Sequence, residues 1–166
     1  MAAHDQRADT LLAEIEAAYR AGFTSFVRVA WGLTGDLQLA TDAVQEGFAS
    51  AVVNRSRFRG EGTVDSWLWS IVLNAARDAR RSESTRVGAE RRLQEVSAPV
   101  APDFGLLGPR LDTLSARQRE IVFLRYWADL DYATIASVLG IAAGTVSATL
   151  SAAHQLLRDQ MEEAAL

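Results

Sequence analysis

Apolar residues recur every three to four positions along nearly the whole chain, and no period-two alternation persists long enough to predict a sheet. The pattern predicts an all-α protein. Leu11, Leu12, Ile15 and Tyr19 form one helical stripe, and Phe23, Phe26, Val27 and Ala30 form a second. Leu33-Thr34-Gly35-Asp36 is expected to end that helix, because Gly supplies the left-handed stop and Asp can cap the next helix. A third helix is predicted over about 38–53. After the polar, glycine-bearing loop Asn54-Arg55-Ser56-Arg57-Phe58-Arg59-Gly60-Glu61-Gly62, a fourth is predicted over about 64–81.

The character changes over 82–108, which is polar and charged at first and then carries Ser97-Ala98-Pro99-Val100-Ala101-Pro102, Gly105 and Gly108. Proline and glycine at that density prevent a long helix, so this stretch reads as a flexible linker, with a short helix near 86–95. It separates two small helical domains, 1–81 and 109–166. In the second, Ser115 and Gln118 have the spacing of a capping box ahead of Ile121, Val122 and Leu124. Helices over about 131–139 and 144–159, joined by Gly140-Ile141-Ala142-Ala143, read as a helix-turn-helix.

Composition narrows the function. At 166 residues the chain holds one ordinary domain or two small ones, and 49% hydrophobic with 23% charged residues is enough to fold most of it. There is no cysteine and only two histidines, His4 and His154, which removes disulfides and thiolate sites and leaves no set of metal ligands; no metal and no cofactor are expected. No apolar run approaches the roughly 20 residues of a membrane span. The start MAAHDQRADT has neither a basic segment nor an apolar signal core, so a cytoplasmic location without membrane attachment is expected.

The net charge of -4 hides a partition: residues 1–54 carry three Arg against seven acids, whereas 55–92 carry nine Arg against five. A local basic segment matters more for phosphate contact than the sum does. All seventeen basic residues are Arg. That Arg usage, with the high Ala content, is also what a GC-rich genome produces.

Two helix faces carry candidate chemistry. On the third helix Asp42, Gln45 and Glu46 share one face, opposite Ala40, Val44, Gly47, Phe48 and Ala51. Spacing alone favours a solvated face; a partner-binding face is the other reading. On the fourth helix Leu68, Val72, Ala75, Ala76 and Ala79 are expected inward, with Trp67, Asn74, Arg77 and Arg81 on the other side. An aromatic beside an amide and guanidinium groups suits unpaired bases and their phosphates. The bland reading makes Trp67 a packing wedge and the arginines solubilising, but Arg55, Arg57, Phe58 and Arg59 in the preceding loop favour nucleic acid. No nucleophile, metal set or phosphate loop accompanies either face, so an enzyme is the least supported class.

The chain resembles a known family. Ala43-Val44-Gln45-Glu46-Gly47-Phe48, Phe58-Arg59-Gly60, Trp67-Leu68 and Asn74 resemble region two of a bacterial extracytoplasmic-function (ECF, group four) sigma factor. Leu114-Ser115, Arg117-Gln118-Arg119-Glu120, Leu124-Arg125-Tyr126, Ile135-Ala136, Leu139-Gly140 and Gly144-Thr145-Val146 resemble its region four. The likeness covers about 20–158 in the family's order. It implies an all-helical, non-enzymatic protein that binds core RNA polymerase and directs promoter recognition and opening. By that resemblance Asp42, Gln45 and Glu46 meet the polymerase, residues 55–62 hold an extruded minus-ten base, and Asn74, Arg77 and Arg81 lie along the non-template strand. An anti-sigma or activator protein is a further partner that it implies.

The likeness breaks on the second domain's last helix. Where the family usually carries Lys, Arg and Arg, this chain has Ser147, Thr149 and Ala152; Ala142 replaces a capping Ser, and Thr134 a Glu. The stripe Val146, Leu150, Ala153 and Leu157 still predicts a folded helix. DNA contact there falls to Thr145, Ser147, Thr149 and Ser151, and a weaker grip on minus-thirty-five duplex is expected. The alternative is a sigma-like protein whose second domain docks on a protein instead.

Overall fold

The computed structural model describes residues 2–90 and 111–163, with side chains over 9–86 and 111–163. Among them are helices and one 3-10 turn but no strand, as the hydrophobic period predicts. The chain divides into two compact units, Met1–Pro99 and Val100–Leu166.

In the first unit α1 (Ala2–Thr34), α2 (Leu37–Val53) and α3 (Val64–Glu90) pack pairwise against one another. The two stripes expected near the N-terminus lie on one continuous helix. Gly22 stays helical between them, and a Cβ there would come within 3.0 Å of the Phe26 ring, so its missing side chain gives that ring room. Gly35, at φ 72°, ends α1. Asp36 then starts α2, its Oδ1 accepting the Leu39 N–H at 2.8 Å.

The core of this unit joins Ile15, Phe26, Val29 and Leu33 to Val44, Phe48 and Ala51, and to Leu68, Trp69, Val72, Leu73 and Ala76. Phe26 is its centre: its ring stacks on Trp69 with centroids 3.9 Å apart and meets Phe48 edge-on at 5.0 Å. The inward set expected for α3 needs correction here. Ala75 and Ala79 are only half-buried, while Trp69 and Leu73 are buried. Because α3 is covered by both α1 and α2, its buried arc is wider than a single stripe.

Helices α2 and α3 touch backbone to backbone at Gly47. A Cβ there would meet Val72 Cγ2 at 3.0 Å and Val72 Cα at 3.1 Å. The side-chain methyl can rotate, but the Cα cannot yield without moving α3. Overpacking of this kind costs about 1–3 kcal/mol, whereas Ala in place of Gly returns roughly 1 kcal/mol of helix propensity. Gly47→Ala is therefore expected to lower the denaturation midpoint of the protein, despite being a helix-favouring change.

The linker expected from residue 82 begins later. Helix α3 continues from Ser82 to Glu90, because polarity alone does not stop a helix and the first proline is Pro99. Glu83 and Arg86 form an i,i+3 ion pair at 2.7 Å on this exposed stretch. The hydrogen bond from Arg86 holds the Glu83 carboxyl below its usual range. Residues 91–95 of the short helix expected over 86–95, and the rest of the linker to 108, lie outside the described residues.

The second unit contains α4 (Ala116–Tyr126), α5 (Tyr132–Leu139) and α6 (Ala143–Glu163). The capping box at Ser115 is complete: its Oγ accepts the Gln118 N–H at 3.3 Å, and Gln118 Oε1 accepts the Ser115 N–H at 2.9 Å. Asp131 caps α5 by accepting the Thr134 N–H at 2.7 Å. Hydrogen bonding from Thr134 keeps that carboxyl below its ordinary value. Gly140, at φ 64°, turns the chain between α5 and α6, and the Ile141 N–H reaches back to the Ala136 carbonyl at 3.0 Å in the manner of a Schellman closure. Val146, Leu150 and Ala153 of α6 are buried in a core that includes Ile121, Phe123, Leu124 and Ile135. At the far end of α4, the Tyr126 hydroxyl lies 2.7 Å from His154 Nε2 and ties it to α6.

Candidate nucleic-acid interface

The outward face of α2 is polar because its other face is consumed by the core. Asp42, Gln45 and Glu46 are all exposed, on the side away from Ala43, Val44, Gly47 and Phe48. Gln38 Nε2 donates to Asp42 Oδ1 at 2.9 Å. The result is an acidic, amide-bearing strip on a helix whose back is fixed.

The loop after α2 begins with the 3-10 turn Arg55–Arg57. Its arginines differ in what they do. Arg55 is half-buried and donates through Nη1 to the Val52 carbonyl at 2.9 Å, so it closes the end of α2. Arg57 and Arg59 are exposed and pair with no acid among the described residues. Phe58 and Trp67 are each half-buried and touch one another, with centroids 5.2 Å apart and planes at 43°. Thus the two aromatics expected to receive bases form one joined surface. Gly60 at φ 77° and Gly62 at φ 82° give the backbone the conformation needed to return to α3.

On α3, Asn74 is exposed and its Oδ1 accepts from Arg77 Nη1 at 2.9 Å. Arg81 reaches Asp78 at 3.4 Å, with both side chains about three-quarters exposed. An ion pair so open to water is worth little, so a phosphate can compete for the guanidinium. Arg80 is a cation that the reading of helix faces missed; it is exposed and without an acidic partner among the described residues. Its spacing of three from Arg77 was the available signal.

On α6, Thr145, Ser147, Ser151 and Ala152 are exposed. Thr149 is half-buried, and its hydroxyl donates to the Thr145 carbonyl of its own helix at 2.7 Å. Ala142 precedes the helix and offers only its carbonyl, which accepts the Thr145 and Val146 N–H groups at 2.9 and 3.2 Å. Among the described residues no group of acids and histidine could hold a metal, and no single helix is long and apolar enough to cross a membrane.

Comparison with known proteins gives these surfaces their context. The sigma-70 region 2 family model matches residues 23–86, and the sigma-70 region 4 model matches 107–157. The RNA polymerase sigma-E factor of Streptomyces antibioticus is 30% identical over 161 residues, covering 90% of this chain and 85% of that protein. The ECF RNA polymerase sigma factor SigL of Mycobacterium tuberculosis is 34% identical over 145 residues, 82% of each chain. Two solved structures share the fold. CnrH in complex with the cytosolic domain of CnrY has a TM-score of 0.71 at 19% identity, over 94% of this chain and 95% of that one. The sigma factor RpoE with the anti-sigma factor NepR, from Bartonella quintana, has a TM-score of 0.64 at 23% identity, over 98% of both chains.

A two-unit helical protein with a polar strip, a basic aromatic loop and a helix-turn-helix has the parts of a transcription initiation factor. The chain belongs to the ECF group of the sigma-70 family of RNA polymerase sigma factors. It binds core RNA polymerase and directs promoter recognition and opening, and its family is one of initiation factors and not of enzymes. The region 4 match falls on the very segment that the alternative reading gave to a protein partner, and that alternative is not favoured.

Proposed function

We propose that the first unit divides its work between two faces. Asp42, Gln45 and Glu46 on α2 receive the polymerase. Arg57, Phe58, Arg59 and Trp67, continued by Asn74, Arg77, Arg80 and Arg81 along α3, receive the unpaired minus-ten strand. Arg55 shapes the loop from beneath. The observation that carries this reading is the contrast on one small unit: an exposed acidic strip on α2, and a basic series with Arg57 and Arg59 exposed in the next loop, Arg77 half-buried, and Arg80 and Arg81 exposed on α3. Single-stranded nucleic acid is bound by stacking surfaces joined to cations, which is the composition of the second face. On α6, Thr145, Ser147 and Ser151 are left for duplex contact through hydroxyl hydrogen bonds, with Thr149 partly committed to its own helix.

In this reading the chain works in the cytoplasm, without cofactor and without catalysis of its own, and the polymerase performs the chemistry. A protein that covers either face would hold the factor inactive. The solved complex of RpoE with the anti-sigma factor NepR supports including such a partner.

The experiment is to replace Asp42, Gln45 and Glu46 together by Ala and measure binding to core RNA polymerase. Affinity is expected to fall at least tenfold, while helix content by circular dichroism stays unchanged because the buried side of α2 is untouched. Full-strength binding by the triple variant would return the strip to a merely solvated face.

A further inference from the structure

A helix lying in the major groove sits between two rows of phosphates, and proteins that use this geometry normally neutralise several of them with Lys or Arg. The helix-turn-helix of this chain has no such groups. From Tyr126 to Leu157 there is neither Lys nor Arg, while Asp129 and Asp131 are both present and exposed. The cations that remain among the described residues of the second unit are mostly engaged internally. Arg117 pairs with the buried Glu120 at 3.1 Å. Arg119 Nη2 donates to the Asp112 and Leu114 carbonyls, each at 3.2 Å. Arg125 reaches Asp129 at 3.4 Å and the Leu130 carbonyl at 3.2 Å. Arg158 is exposed, but it stands thirteen residues beyond Thr145, or roughly 20 Å along the helix axis.

The exposed positions at the start of α6 are also short: Gly144, Thr145, Ser147, Ala148, Ser151 and Ala152. None can reach sideways to a phosphate as an Arg would. The first unit is the opposite case, because Arg57, Arg59 and Arg80 are exposed without acidic partners among the described residues.

We infer that this sigma factor selects promoters almost entirely through its first unit, its helix-turn-helix adding no cationic phosphate neutralisation and, through the α6 hydroxyls, only slight sequence reading on the upstream duplex. This rests on the proposed role of the loop and α3 in holding the unpaired strand. The consequence is a short recognition element: sequence information concentrated in the melted segment, and promoter affinity nearly insensitive to the sequence of the duplex upstream of it. Counterion release attributable to the factor then comes from the arginines of the loop and α3.

The test uses the holoenzyme, the full chain with core RNA polymerase. Promoters are selected from duplex DNA randomised across both the melted segment and the upstream region. Binding of a selected promoter is then measured between about 50 and 200 mM salt, the range over which phosphate contacts dominate the change in affinity, with its upstream duplex intact, re-randomised or cut away. The expected result is enrichment concentrated in the melted segment, with upstream randomisation changing Kd by less than about threefold and removal of the upstream duplex leaving the salt slope unaltered. An enriched upstream motif whose loss costs about threefold or more, or a salt slope that falls when the upstream duplex is cut away, would overturn the inference.

A second arm separates this from the assignment beneath it. Arg57→Ala, Arg59→Ala and Arg80→Ala combined should lower the slope of log K against log salt by about 0.7 for every phosphate of the single strand that is no longer neutralised. If that slope stays put while upstream dependence is absent, the first-unit assignment itself fails. If the slope falls and upstream dependence is present, the first-unit assignment stands and only the inference about the helix-turn-helix is overturned.

Discussion

Phe26→Ala is expected to unfold the first unit under conditions where the second remains helical. The ring is 3% exposed, stacked on Trp69 and edge-on to Phe48, so its loss removes contacts to both of the helices that α1 holds together. Truncating a core Phe to Ala costs about 3–5 kcal/mol. A small domain has roughly 5–15 kcal/mol in total, and a unit of about a hundred residues stands toward the low end. Stepwise urea denaturation followed by far-ultraviolet circular dichroism is the measurement, with Trp fluorescence read after Trp127→Phe so that the remaining tryptophans, Trp31, Trp67 and Trp69, all report on the first unit. The early transition should shift to much lower urea and the later one should stay in place, because Phe26 belongs to the core of the first unit.

The second large effect is on DNA. Replacing Trp67 by Ala is expected to weaken holoenzyme binding to a forked DNA with an unpaired minus-ten strand by about 1–3 kcal/mol, which is roughly 5- to 150-fold. Trp67→Phe should retain most of the affinity, since any aromatic face can stack. Phe58 and Trp67 are in contact at 5.2 Å, and residues in contact do not contribute independently. The double variant should therefore lose less than the sum of the two single losses. Thermal unfolding of each variant separates this from a folding defect, because both rings are half-buried and neither belongs to the Phe26 cluster. Unchanged affinity in Trp67→Ala with an unchanged melting curve would make the residue a spectator.

What the sequence disclosed well was what neighbouring residues decide among themselves. The Ser115–Gln118 box, the Asp36 cap and the stops at Gly35 and Gly140 are all closed by groups within a few positions of one another, so residue type and spacing suffice. Continuity of α1 was less visible, since two stripes with slightly different phase look like two helices until a common partner spans them. Trp69 escaped notice for a related reason. Its neighbour Trp67 fitted the polar face, and only the packing of Phe26 reveals that Trp69 belongs in the core. Charge was legible as a regional excess but not as individual roles. Arg55 and Arg57 look alike in sequence, yet one guanidinium closes a helix end and the other is left to solvent. On α6 the missing cations were visible directly from composition, because an absent side chain needs no fold to be noticed.

The close seat of Gly47 on Val72 has a consequence for how such a factor can diversify. With α2 and α3 held at a fixed distance, the ten residues between Val53 and Val64 are suspended from two anchored helix ends, which Arg55 and Thr63 close from within the loop, leaving the residues between them free of that task. Exposed positions such as Ser56 and Glu61 can be exchanged without shifting the face proposed to receive the polymerase, provided that the two glycines allow the chain to turn back. If the loop holds the unpaired strand as proposed, a different promoter preference would then arise through a handful of exchanges in this one segment, with the recruiting face inherited unchanged.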